Sequence, residues 1–444
     1  MNDFRPSLHF TARSNWLNDP NGLILVDGRW HMFFQHNPAS MVHGPMHWGH
    51  AVSTDLAHWE ELPIALYPDA VGECFSGSAI EAAEGNTGQG IGRDEILLFY
   101  TAHRKTAEGK DHQTQCLAIA NRELTAFRRH PANPLIPNPG LHCFRDPKVI
   151  WHAPSSRWVM VVTEGQAVRF YSSADALEWR HDSTFGADRG YHNGGPWECP
   201  DIFSLSHPTT GEPVWVLAVG AQGARGELSR VQYFLGDFDG RSFSDLNAPD
   251  TILWLDEGPD CYATQTWAGA TPHRTAISWM ANLSYAGRTP TTGFRGAMTL
   301  PRELTLVSAP DGLRISQAIP PQVHGSFDRL ELKSGSAQPS SVTYRLELSL
   351  AATEHEASVE LFGREPVLHL KREAGTVSLT VSRSANGGVV DFQTTVPLTA
   401  TRDVALTVYV DNGHVEIVTA NGLAVFSILC FPDNLMGAAR IQRS

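Results

Sequence analysis

Long apolar runs, basic clusters and paired cysteines are all missing from this sequence. Its 444 residues contain no stretch approaching the ~18 consecutive apolar residues of a membrane-spanning helix. The formal net charge is −13 and Lys and Arg form no block, which excludes nucleic acid and anionic membrane surfaces as main partners. The six cysteines (Cys74, Cys116, Cys143, Cys199, Cys261, Cys430) are scattered without a CxxC pair. A cysteine knuckle is thereby excluded, and a disulfide framework is not expected beside a core of this size. The 20 histidines join no Cys/His cluster of metal-ligand type, so neither metal nor cofactor is expected. The opening Met1-Asn2-Asp3-Phe4-Arg5-Pro6 lacks the apolar centre of a secretory leader. If Met1 is the native start, the expected compartment is the cytoplasm.

Long amphipathic helical patterns are also absent. Short apolar runs take their place: Leu23–Val26, Met32–Phe34, Ile96–Tyr100, Trp158–Thr163, Val214–Val219 and Ala276–Met280. Each is strand-length and bounded by Gly, Pro, Asn, Asp or charged residues, which predicts an all-β protein. Ser53-Thr54-Asp55-Leu56-Ala57-His58-Trp59 and Ser173-Ala174-Asp175-Ala176-Leu177-Glu178-Trp179 share the pattern S-x-D-x-x-x-W, and looser versions end at Phe127 and Phe243. The closing aromatics recur about every 60 residues, near the length of a four-stranded propeller blade with long loops. Residues 1–318 would then hold about five blades.

The tail alternates differently. Val342, Tyr344, Leu346, Leu348 and Leu350 interleave with polar residues, as do Leu406, Val408 and Val410 before Asn412-Gly413. Period-2 strands joined by Asn-Gly predict hairpins, and Asn386-Gly387 and Asn421-Gly422 predict further turns. A β-sandwich over 328–444 is expected, with 319–327 as a linker stiffened by Pro320-Pro321.

Three acids stand in unusual settings: Asp19 in Trp16-Leu17-Asn18-Asp19-Pro20-Asn21-Gly22, Asp146 in Phe144-Arg145-Asp146-Pro147-Lys148, and Glu198 in Trp197-Glu198-Cys199-Pro200-Asp201. Each falls in a different repeat, so a propeller would bring them to one central channel. A lone Asp-Pro is usually a turn. Convergent carboxylates instead suit glycoside hydrolysis, with one as nucleophile or base and another as acid. Ser76-Gly77-Ser78 is no nucleophile elbow, and Gly88–Gly92 is a loop outside any strand–GK[ST]–helix context.

The segments WLNDPNG (16–22), FFQHNP (33–38), MHWGHAVSTDLAHW (46–59), FSGSA (75–79), FRDPKV (144–149), WECPD (197–201) and RGAMTLPREL (295–304) resemble glycoside hydrolase family 32, the β-fructofuranosidases. That resemblance implies a five-bladed β-propeller followed by a β-sandwich. It implies Asp19 as the nucleophile of a fructosyl-enzyme, Glu198 as general acid and then base, and Asp146 as a stabiliser bound to fructose hydroxyls. The retaining route would place the Asp19 and Glu198 carboxyls ~5 Å apart. Substrate-binding roles carry over to Asn18, Gln35, Phe75, Ser76 and Arg145. Protonated Glu198 beside ionised Asp19 would keep the acid ready near neutral pH.

The implied substrate is a small or oligomeric fructoside: sucrose, fructo-oligosaccharides, levan or inulin. A fructosyltransferase, a sucrose-6-phosphate hydrolase and a non-catalytic sugar-binding propeller are the alternatives. Trp48 and His50 read as packing, and so does Cys199, which could also tune Glu198. The chain departs from the family at His43 and Leu283, where Trp is common. Phe294 replaces another common Trp near the rim, and Phe34 replaces Tyr. These changes reduce the stacking surface for sugars.

Overall fold

A computed structural model of the chain describes residues 3–224, 227–269, 271–332, 335–373, 376–398 and 403–444. Met1, on which the expected compartment turns, lies outside the described residues. The architecture is nearly all β, as the short apolar runs predict. No helix among the described residues is long and apolar enough to cross a membrane.

Five sheets, each built on four antiparallel strands and two of them with a short fifth, follow one another along the chain. Their first strands are Asn15–Val26, Glu73–Glu81, Phe144–His152, Trp197–Ser206 and Tyr262–Thr266. These five pack side by side in a closed ring, the first against the last, so the fold is a five-bladed propeller with these strands innermost. In blade 1 the short strand Phe294–Arg295 adds in parallel to Asn15–Val26, tying the late chain to the first blade.

The repeat seen in the sequence has a structural reason. Asp55 Oδ1 accepts the backbone N–H of Ala57 and His58, and Asp175 Oδ1 that of Leu177 and Glu178. Asn121 and Asp239 do the same in blades 2 and 4. Each polar side chain caps a tight turn that contains one left-handed residue: Leu56, Leu124, Ala176 and Gly240. The closing aromatic then stands at the entry to the outermost strand: Glu60–Leu66, Phe127–Arg129, Arg180–Phe185 or Phe243–Asp245.

The tail forms two sheets around one apolar core. One has four strands in the order Thr343–Leu350, Val404–Asp411, His414–Thr419, Val425–Leu429; the other has six. Tyr344, Leu346, Leu348 and Leu350 are buried, as their alternation predicts. Asn412 and Gly413 both take positive φ, which a two-residue hairpin turn with matched twist requires.

Residues 319–327, read as a linker, contain one short helix, Pro321–Gly325. Ile319, Val323 and Phe327 are buried in the propeller's apolar core beside Tyr409, Val418 and Val425 of the tail. The segment is therefore packed rather than a free spacer.

Candidate active site

The five innermost strands share one local device. In each, the ladder to the second strand skips at the same level: at Asp19, Ser76, Asp146-Pro147, Cys199-Pro200 and Ala263-Thr264. These are β-bulges, which bend a strand and re-aim a side chain. Asp19, Asp146, Cys199 and Ala263 have positive φ, an uncommon conformation for residues with a Cβ. Proline follows three of the bulged residues. It has no N–H to offer the ladder, so the interruption costs no hydrogen bond there. In blade 2 the bulge is followed by Gly77, where a Cβ would lie 1.9 Å from the Phe99 carbonyl oxygen.

At the bulges, Asn18 and Asp19, Phe75 and Ser76, Arg145 and Asp146, Glu198, and Tyr262 reach one cavity wall. All eight residues singled out from the sequence (Asp19, Asp146, Glu198, Asn18, Gln35, Phe75, Ser76 and Arg145) line one cavity. Trp16, His43, Tyr262, Trp279 and Leu283 complete its wall. A larger groove between blades 4 and 5 and the tail holds none of these groups.

Charge is crowded here. Ser76 Oγ donates to Asp19 Oδ2 at 3.1 Å. Burial, reinforced by the Glu198 and Asp146 charges, pushes the Asp19 carboxyl up to about 7, with the Asn18 and Ser76 hydrogen bonds opposing. Burial also pushes Asp146 up, to about 6, against the pull of Arg145 and the Cys199 N–H. That N–H donates to Asp146 Oδ2 at 2.9 Å. Both Glu198 oxygens accept hydrogen bonds at 2.8 Å, Oε1 from Arg145 Nη2 and Oε2 from the Tyr262 hydroxyl. Arg145 Nε stands 3.8 Å from Asp146 Oδ2, so one guanidinium serves two carboxylates. The Cys199 thiol lies 3.6 Å from Asp19 Oδ2 and 3.7 Å from Asp146 Oδ2, and burial keeps it protonated. It faces these two acids; its contact is not with Glu198, which it was read as able to tune.

The floor is polar and sealed. Lys148 Nζ pairs with Asp201 Oδ1 at 2.9 Å, and both are buried. Gln265 Nε2 donates to the carbonyls of Cys199 and Pro200. Gln35 Nε2 donates to Asn21 Oδ1.

The remaining sequence readings divide. Trp48 and His50 are buried packing: Trp48 Nε1 donates to the Phe75 carbonyl, and His50 stacks on Phe33. His43 packs edge-on to Trp16 and Phe75, and Leu283 is exposed at the mouth. Phe294 is not at the rim. It is buried under the Arg5 guanidinium, and Phe34 is buried against Phe10. Neither lines the cavity, because blade 1 encloses both.

The model for the glycosyl hydrolases family 32 N-terminal domain matches residues 9–317. The chain belongs to this family. It is a glycoside hydrolase. It is 37% identical to a levanase of Bacillus subtilis, over 97% of this chain and 67% of the relative. It is 32% identical to an extracellular exo-inulinase of Aspergillus niger, over 99% of this chain and 91% of the relative. Among solved structures, an exo-inulinase from Aspergillus awamori superposes with a TM-score of 0.87 at 28% identity, over 100% of this chain and 96% of that one.

Trp16, Tyr262 and Trp279 are wall residues that sequence reasoning did not assign to the site, and Tyr262 is the one among them that bonds to Glu198. Blade 5 carries Tyr262-Ala263-Thr264 at the bulge, with neither acid nor proline to mark it. Counting the bulge pairs blade by blade would have found it.

Proposed function

We propose that the protein is a retaining, exo-acting β-fructofuranosidase that hydrolyses terminal β-D-fructosides, with Asp19 as nucleophile and Glu198 as acid and then base. The observation that carries this is the convergence of Asp19, Asp146 and Glu198, from three blades, in one blind cavity. The names levanase and exo-inulinase borne by its relatives support the fructoside class. The sealed floor supports exo action, because a chain end can enter but a polymer cannot thread through.

In the first step an Asp19 oxygen bonds to the anomeric carbon. The bond to the leaving oxygen breaks, and that oxygen takes the Glu198 proton. Water then attacks the fructosyl-enzyme, giving a proton to Glu198 and releasing Asp19. Asp146 accepts hydrogen bonds from fructose hydroxyls and balances the charge developing on the ring. Asn18, Gln35 and Ser76 orient the ring by hydrogen bonding, and Phe75 packs against it.

Burial raises the Asp19 carboxyl to about 7, and attack requires it ionised, so the attacking form is the deprotonated one. Arg145 is already engaged with Glu198 and Asp146, and it is the only Lys or Arg on the cavity wall among the described residues. That favours unphosphorylated substrates over sucrose-6-phosphate.

The test is release of fructose and glucose from sucrose, 1-kestose, levan and inulin by wild type and Asp19→Asn. Fructose release that disappears in the variant is the expected result. Glucose without matching fructose would indicate transfer to sugar acceptors. A folded wild type releasing nothing from any substrate would overturn the hydrolase reading.

A further inference from the structure

We propose that Tyr262 is a positioning residue for Glu198, its hydroxyl donating to Oε2 and so leaving the carboxyl's free lone pairs to carry the proton that the reaction moves. The proposal rests on the reading of Glu198 as acid and base.

The two contacts on Glu198 differ in kind. Arg145 Nη2 on Oε1 can only donate, so the lone pair it occupies can never carry a proton. The Tyr262 hydroxyl, 2.8 Å from Oε2, is a neutral donor to one lone pair of that oxygen. The other lone pair stays free to hold a transferable proton. Burial, with the neighbouring Glu198 charge, lifts the phenol well above its ordinary range, so its own proton stays on.

The route by which Tyr262 reaches Glu198 is built into blade 4. Gly220 lies directly opposite Glu198 in the ladder. A Cβ there would come 2.8 Å from Tyr262 Cζ and 3.0 Å from its hydroxyl oxygen. Gly220 is not among the glycines with positive φ, so the backbone does not demand glycine at this position. Space for the phenol does. The ring leans from blade 5 across this slot, and the hydroxyl's one protein partner among the described residues is Glu198. A phenyl ring would fill the same volume, which leaves the hydroxyl with no packing role.

Other groups also face Glu198. Asp19 does so from blade 1, Arg145 and Asp146 from blade 3, Cys199 beside it and His43 from the mouth. Among the described residues, Arg145 and Tyr262 are the two whose side chains hydrogen-bond to it. When Glu198 gives its proton to the leaving oxygen, the phenol's bond to Oε2 strengthens. When Glu198 takes a proton from water, that bond weakens without turning the carboxyl. No proton leaves Tyr262 in either step.

The experiment compares pH profiles of kcat/KM for sucrose in wild type, Tyr262→Phe and Gly220→Ala. Loss of the donor removes a hydrogen bond made to the ionised form, so Glu198 keeps its proton longer. The alkaline limb should move up by roughly one pH unit in Tyr262→Phe. kcat should fall about ten-fold with little change in KM, because the loss is in the step that moves the proton. Gly220→Ala should move the limb in the same direction by pushing the phenol off Oε2, and it decides the matter if Tyr262→Phe fails to fold. An alkaline limb that stays in place or moves down would overturn the proposal while leaving the hydrolase reading intact. Glu198→Gln at the wild-type rate would overturn both, since Glu198 would then not be the acid.

Discussion

Two clusters of buried charge in this molecule are built from similar groups and behave in opposite ways. In the cavity, Asp19 and Asp146 are pushed up to about 7 and about 6. Where the tail meets the propeller, Asp411 and Glu416 are held below their ordinary range. Burial acts on all four. The difference lies in the partners.

Asp411 accepts the backbone N–H groups of Ser7, Leu8 and His9 and pairs with the His9 ring at 3.0 Å. Glu416 pairs with Arg302 at 2.7 Å, and Arg302 also meets Asp256 at 2.9 Å. Burial alone would lower His9, but Asp411 and Glu416 raise it to about 9. Here two cations stand among three carboxylates, and each carboxylate touches at least one of them. In the cavity a single guanidinium pairs with Glu198 and Asp146 and leaves Asp19 without a cation. Structural ion pairs fix protonation states, whereas a catalytic group needs one that can change.

Breaking the cavity cluster should have the largest effect. Asp19→Asn should lower kcat/KM by about 10⁴-fold or more, measured as fructose release. The same change should stabilise the fold. The Asp19 carboxyl is raised in the folded state, so its contribution is complete below pH 3.8 and lost as pH rises through about 7. The variant should therefore melt a few degrees higher than wild type at pH 8 and no higher at pH 4, by calorimetry.

Breaking the interface cluster should do the reverse. Arg302→Met leaves Asp256 buried without its cation and Glu416 with His9 alone. It should cost about 3–5 kcal/mol by chemical denaturation while leaving KM unchanged in the protein that remains folded.

A smaller effect sharpens the contrast. The His9 imidazolium is favoured by folding, so its stabilisation is present below pH 6.5 and is lost as pH rises through about 9. His9→Gln should flatten the dependence of Tm on pH across that window. The smallest change belongs to the mouth. His43→Ala removes one edge-on ring beside Trp16 and Phe75 and should alter KM on the order of three-fold, with kcat unaffected, in steady-state assays.

What could be read from the chain follows from where the physics is local. The blade turns were legible because each is capped by a side chain within a few residues of the groups it binds, as Asp55 and Asp175 show. Three of the five bulges were legible because a proline marks them. The role of Tyr262 was not, because it depends on the missing side chain of Gly220, and its own segment carries neither acid nor proline. Phe294 was misplaced because a short parallel strand beside Trp16 cannot be told from a rim loop by composition. The His9–Asp411 pair was invisible because 402 residues separate its members.

That separation bears on the order of assembly during synthesis. The N-terminal strap emerges from the ribosome long before the hairpin of Asp411 and Glu416 exists. Until then three of its amides and its imidazole have no protein partner at that site, and water must hold them. The innermost strand that carries Asp19 begins at Asn15, directly after this strap. Residues 7–9 are thus fixed only after the segment around residue 411 has been made. A nascent chain stopped before residue 411 would carry all three cavity carboxyls and still lack the anchor beside the first of them.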